Sequence, residues 1–172
     1  RDAYDAGERE IEVGSFVPPK LLPQLADTAE VLAFAQTLPG LRATVLVPNM
    51  KGAERALEAK AAMMLVPLSA SHAHSLANLR KTPDEVVAEI ARMRAARDAS
   101  GAGTEIEVGI STAFGCTIQG HVDPEEVVRL VQAVLDAGVE SVSLADTVGY
   151  ADPAMGSALF DRVRRGAGDR VV

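Results

Sequence analysis

Ser141-Val142-Ser143-Leu144-Ala145-Asp146-Thr147-Val148-Gly149 carries no charge until Asp146 and opens with small and β-branched residues, the pattern of a buried strand. It ends in a carboxylate, a hydroxyl and a glycine. A carboxylate at the mouth of an apolar strand must be hydrogen-bonded, ion-paired or metal-linked, which makes Asp146 a functional candidate. The plainer alternative is a loop aspartate capping the next helix. Upstream, Asp136-Ala137-Gly138 matches Asp5-Ala6-Gly7, and Glu105-Ile106-Glu107-Val108-Gly109 repeats Glu10-Ile11-Glu12-Val13-Gly14 letter for letter. A helix-glycine-strand module therefore recurs.

Working outward, strands are predicted over 10–15, 42–47, 63–68 and 105–111 and from 141 onward, with Val171-Val172 opening a sixth. Helices are predicted over 27–38, 52–59, 82–99, 123–137 and 152–165. Thr82-Pro83-Asp84-Glu85 and Asp123-Pro124-Glu125-Glu126 supply capping boxes with Pro at the first helical position. Val86, Val87, Ile90 and Met93 mark the apolar face of one helix, and Ala56 and Leu57 that of another. The polar stretch 69–81 reads as a long loop, as does the proline-studded stretch 16–23.

Strands alternating with helices demand parallel pairing, as in a doubly wound sheet or a (β/α)8 barrel. No Gly-x-Gly-x-x-Gly follows any strand, so nothing favours a dinucleotide fold. Ser15, Ser69, Ser71, Ser111 and Asp146 all fall at strand C-terminal ends, which is what a barrel site requires. The expectation is an α/β chain, a (β/α)8 TIM barrel with about five of eight βα units present, forming one partial catalytic domain over 1–172. A full barrel takes about 250 residues, so the chain is expected to be a piece of a longer protein.

Of 172 residues 48% are hydrophobic but only 3% aromatic, so the core must be aliphatic. Net charge is −7 and the one basic run, Arg162-Val163-Arg164-Arg165, suits the end of a helix, leaving no footprint for nucleic acid or an anionic membrane. The apolar run 61–70 is too short to span a bilayer. A single cysteine, Cys116, excludes an internal disulfide and fits a cytoplasmic location. His72-Ala73-His74 would share a cation if it were strand-like; the alternative is an ordinary polar loop. His121 reads as a surface residue near a helix start. Glu12 and Glu107 sit in identical surroundings, and either reads as a site residue or as a structural carboxylate paired with Arg or Lys. Cys116 reads as a buried filler or a thiol past a strand end.

Ile11-Glu12-Val13-Gly14-Ser15-Phe16-Val17-Pro18-Pro19-Lys20, Pro48-Asn49-Met50-Lys51-Gly52, Ser69-Ala70-Ser71, Ser111-Thr112-Ala113-Phe114-Gly115-Cys116 and Ser143-Leu144-Ala145-Asp146-Thr147-Val148-Gly149 together resemble the hydroxymethylglutaryl-CoA lyases, within the metal-dependent lyase and Claisen-condensing superfamily of (β/α)8 barrels. The resemblance implies cleavage of 3-hydroxy-3-methylglutaryl-CoA to acetyl-CoA and acetoacetate with Mg2+ or Mn2+, as used in leucine degradation and ketone-body metabolism. It implies catalytic roles for Glu12 and Asp146, facing each other across a barrel mouth. Ser15, Phe16, Ser71, Asn78, Ser143 and Thr147 are implied to line the substrate site, Asn78 near the CoA thioester. His72 falls where the family carries an acid, and Cys116 matches a cysteine that is not the catalytic one. The family's Arg-Asp-Gly segment, His-x-His pair, metal-binding Asn and catalytic Cys have no counterpart here, so the metal ligands are expected in segments outside this chain. A small-molecule acyl-CoA partner and a homo-oligomer, a dimer, are implied. Remaining alternatives are a longer-chain 3-hydroxyglutaryl-CoA lyase, an isopropylmalate or citramalate synthase, and a degenerate partial barrel serving as a binding module.

Overall fold

The computed structural model describes all 172 residues. Five parallel strands stand in sequential order: β1 (Glu10–Ser15), β2 (Arg42–Leu46), β3 (Met63–Ser69), β4 (Glu105–Ser111) and β5 (Ser141–Leu144). The helices are α1 (Asp2–Asp5), α2 (Thr28–Ala35), α3 (Met50–Glu58), α4 (His72–Leu79), α5 (Pro83–Ser100), α6 (Pro124–Asp136) and α7 (Pro153–Ala167). An unreversed strand order with a helical crossover at each step is barrel connectivity; a doubly wound sheet would reverse at a switch point. The fold is thus the α/β class, with five successive βα units of a TIM barrel. Residue contacts divide the chain into two compact units, 1–66 with 95–106, and 67–94 with 107–172, so β3, β4 and α5 run through both.

In the first unit, Leu32, Val45, Val47, Ala53, Ala56, Met64 and Ile106 are fully buried, the aliphatic core that so few aromatics require. Leu57, expected beside Ala56 on the inner face, is only half-buried. The chain approaches itself closely at Gly14, where a Cβ would lie 2.6 Å from Thr28 Oγ1, so only glycine lets α2 sit against β1 here. Arg42 ties the first glutamates of the two repeated pentapeptides, bonding Glu10 at 3.1 Å and also Glu105. Asn49 caps α3 by accepting from the Gly52 amide at 3.0 Å.

In the second unit, Leu68, Ile90, Val108, Ile110, Val127, Leu130, Val134 and Val142 are fully buried between the sheet residues and α5, α6 and α7. The Thr82 capping box forms in both directions, with Glu85 N–H donating to Thr82 Oγ1 and Thr82 N–H to Glu85 Oε2. Val87 lies at the edge of the α5 apolar face, half-buried, whereas Val86, Ile90 and Met93 are core. Val171 makes a single parallel bridge to Val142, so the expected sixth strand is present only as that bridge.

One expectation is overturned. The stretch 69–81 is mostly helix: α4 starts immediately after the strand because Ser71 Oγ accepts from the His74 amide at 3.1 Å, and Ala73, Leu76, Ala77 and Leu79 favour helix. His72 and His74, two apart on a helix, point about 160° apart and cannot share a cation as they would on a strand. Asn78 is therefore an exposed helical residue rather than a loop residue.

Candidate active site

Glu12 and its twin Glu107 are told apart by their neighbours. Glu107, on β4, accepts from Ser143 Oγ at 2.8 Å and from Ser141 Oγ at 3.3 Å, because residues two apart on β5 share a face. The Glu12 carboxylate, on β1, has no hydrogen-bond or ion-pair partner in the protein. It keeps solvent contact, yet partial burial pushes its carboxyl above the ordinary glutamate value. A carboxylate that has gained no protein partner is one a ligand can complete. Ser15, three residues on, is buried; its hydroxyl accepts from the Val17 amide at 3.2 Å and its backbone is clamped by Thr28. Phe16 is 2% exposed, with the Arg55 guanidinium 4.5 Å from its ring centre.

In the second unit a buried polar network joins the C-terminal ends of three strands. Ser69 Oγ at the end of β3 lies 2.8 Å from Thr112 Oγ1, just past β4. Thr112 Oγ1 also accepts from the Ser71 amide at 3.0 Å, and the Thr112 amide donates to Thr147 Oγ1 at 2.7 Å, beyond β5. Thr112 has φ 57°, a left-handed conformation rare for a β-branched residue. His74 Nδ1 lies 3.0 Å from Ser69 Oγ. Ser71 is fully buried and spans the network's edge, donating from Oγ to Gln119 Oε1 at 3.1 Å.

Asp146 lies two residues beyond β5. Its two oxygens accept from the Tyr150 and Ala151 amides, each at 3.0 Å. Led by the Ala151 amide, these bonds hold its carboxyl below the ordinary aspartate value. It does not cap the following helix; Asp152 does, accepting from Met155 N at 2.8 Å. Tyr150 packs onto Gly115, where a Cβ would come within 2.7 Å of the ring, so the 146–151 loop needs glycine opposite it. Cys116 is 1% exposed. Burial pushes its thiol up, but hydrogen bonds with Ser71 and the Gln119 and Ile118 amides outweigh that and lower it. Among the residues singled out from sequence, Ser71 and Thr147 meet in the Thr112 network, Ser143 joins Glu107, and Asn78 and His72 make no such contact. Thr112, Gln119 and the role of His74 are not marked by any motif in the sequence; the one signal there is Thr112's place directly after the end of β4.

No three His, Cys, Asp or Glu side chains gather as a metal site. Asp146 and Glu107 have both oxygens engaged within the protein. The residues present therefore do not make up a divalent-ion site by themselves.

The HMGL-like family profile matches residues 4–170. The chain is 36% identical over 144 residues to hydroxymethylglutaryl-CoA lyase YngG of Bacillus subtilis, covering 84% of this chain and 48% of that protein. It is 36% identical over 166 residues to (R)-citramalyl-CoA lyase of Chloroflexus aurantiacus, covering 90% and 51%. Among solved structures, the HMG-CoA lyase from Brucella melitensis superposes with a TM-score of 0.90 at 36% identity, covering 98% of this chain and 59% of that one. The chain spans about half the length of the curated relatives it matches. On the family profile and these identities, the chain belongs to the HMGL-like family.

Proposed function

We propose that this chain belongs to a carbon-carbon lyase that cleaves 3-hydroxy-3-methylglutaryl-CoA to acetyl-CoA and acetoacetate. The observation that supports the reading is the unpartnered Glu12 carboxylate, midway along β1, set against the fully engaged Glu107 of the same pentapeptide. The reaction removes the proton of the C3 hydroxyl, breaks the C2–C3 bond, places its electron pair on the thioester as an enolate, and protonates that carbon. Glu12 and Asp146 are the proposed catalytic carboxylates. Glu12 is free to accept a hydrogen bond from the substrate, and Asp146 stays ionised because backbone amides hold it so. Ser15, Phe16, Ser71, Asn78, Ser143 and Thr147 are the proposed substrate-lining set.

A divalent ion, Mg2+ or Mn2+, would supply Lewis-acid polarisation of the hydroxyl. This chain gathers no ligand cluster for it, so no step is derived through the ion. We further propose one catalytic domain, a homodimer and a cytoplasmic location; no helix is long and apolar enough to cross a membrane.

A second reading is favoured by the equal identity to (R)-citramalyl-CoA lyase. Presenting the intact protein with hydroxymethylglutaryl-CoA, a longer-chain 3-hydroxyglutaryl-CoA and citramalyl-CoA, and following acetyl-CoA release, separates them. The proposal expects the first to have the highest kcat/KM. A tenfold preference for citramalyl-CoA would replace it with the second reading.

A further inference from the structure

The hydrogen-bonded chain at the ends of β3 and β4 has a direction. Thr112 Oγ1 donates its single proton to the Ser111 carbonyl at 2.6 Å and accepts from the Ser71 amide at 3.0 Å. Its remaining lone pair must take the proton of Ser69, 2.8 Å away. Ser69 Oγ is then left to accept, so His74 donates from Nδ1 across 3.0 Å. Ser69 is 2% exposed and Thr112 fully buried, so water does not compete for these bonds.

The far end of this chain is the strained backbone of Thr112. A β-branched residue at φ 57° persists only where its surroundings over-determine it. Here those surroundings are Ser69, the Ser71 amide and Thr147. The Thr112 amide binds Thr147 Oγ1 at 2.7 Å, and the Ala113 amide binds the Ala145 carbonyl at 3.3 Å, so Thr112 sits against residues on both sides of Asp146.

We propose that His74 is a positioning residue: by donating to Ser69 it holds Thr112 in its left-handed conformation and so places the loop that carries Asp146 and Thr147. The catalytic half of this inference rests on the lyase function proposed above; the structural half does not. His74 acts here through Nδ1, which asparagine reproduces with its side-chain N–H and glutamine does not.

The test compares His74→Asn, His74→Gln and His74→Leu in the intact protein. Two quantities are read: hydrogen exchange at the Thr112 amide relative to the Val108 amide within β4, and kcat and KM on hydroxymethylglutaryl-CoA. Losing one buried hydrogen bond should speed Thr112 exchange on the order of tenfold in the Leu and Gln variants, with Val108 unchanged. In the same variants kcat should fall about fivefold or more while KM stays within about twofold. Asparagine should restore both. Unchanged Thr112 exchange in His74→Leu overturns the proposal. An asparagine variant that restores exchange but not kcat overturns the catalytic half, since Nε2 would then be the atom that matters to the chemistry. If leucine at 74 also loosens Val108, Ser69→Ala is read in its place: selective loosening of Thr112 supports the proposal and its absence overturns it. A wild-type protein without lyase activity removes the proposed function, while the exchange pattern still decides whether His74 holds the loop.

Discussion

Substituting each of the twin glutamates by glutamine should give opposite results. Glu107 accepts two serine hydroxyls from β5, at 2.8 and 3.3 Å, and is half-buried. A hydrogen bond to a charged group contributes about 1.5–3 kcal/mol and a neutral one about 1 kcal/mol. In Glu107→Gln both bonds become neutral and one serine must reverse its proton, a loss of about 1–2 kcal/mol. For 172 residues the unfolding entropy is roughly 0.36 kcal/mol/K at about 2.1 cal/mol/K per residue, so Tm should fall by about 3–6 °C. Glu12 has no such bonds to lose. Glu12→Gln should leave Tm at neutral pH unchanged or higher, yet lower kcat/KM by at least about a hundredfold, an effect of about 3 kcal/mol on the barrel's proposed chemistry. Thermal unfolding by circular dichroism and acetyl-CoA release, run on both variants, decide it. A stable, inactive Glu107→Gln alongside a destabilised, active Glu12→Gln would refute the assignment of the two roles.

Because the Glu12 carboxyl is raised, the folded state binds a proton more tightly than the unfolded one. Ionised Glu12 therefore opposes folding: any stability gained by Glu12→Gln should be fully present above the folded pKa and vanish as pH falls below the ordinary value of about 4.3, as read from Tm against pH. Glu85 runs the other way. The Thr82 amide holds its carboxyl low, so its contribution is present above the unfolded value and is lost as pH falls through the folded one; Glu85→Gln should flatten that acid-side loss. Thr82→Ala, which removes the cap accepting from the Glu85 amide, should cost about 1 kcal/mol in denaturant unfolding. Cys116 is 1% exposed, so native protein should resist iodoacetamide on the order of a hundredfold longer than unfolded protein despite its lowered thiol; equal rates would show that the 115–120 turn opens freely.

Much of the fold was legible because its signals are local. Pro83 and Pro124 follow capping residues, Gly7 and Gly138 close helices, and the repeated Glu-Ile-Glu-Val-Gly marks two strands. The stretch 69–81 misled because its cap, Ser71, follows the strand with only Ala70 between and is surrounded by other polar residues, so no linker announces the helix. The site was less legible, for a different reason. Nothing in the letters around Glu12 and Glu107 separates them; the difference is Ser141 and Ser143, 34 and 36 residues downstream of Glu107. Thr112's left-handed backbone likewise depends on Ser69, Ser71 and Thr147, which only the assembled strand ends bring to it. Asp146 was found from its place past an apolar strand, but the turn it closes with Tyr150 and Ala151 is not written in that strand.

Lyase chemistry dependent on Glu12 is tested most directly by incubating the intact protein with hydroxymethylglutaryl-CoA and Mg2+, with and without EDTA, and quantifying both acetyl-CoA and acetoacetate. Equimolar products are expected from the wild type, suppressed by EDTA and nearly abolished in Glu12→Gln. Absence of products from well-folded wild-type protein, or full activity in Glu12→Gln, would contradict that expectation.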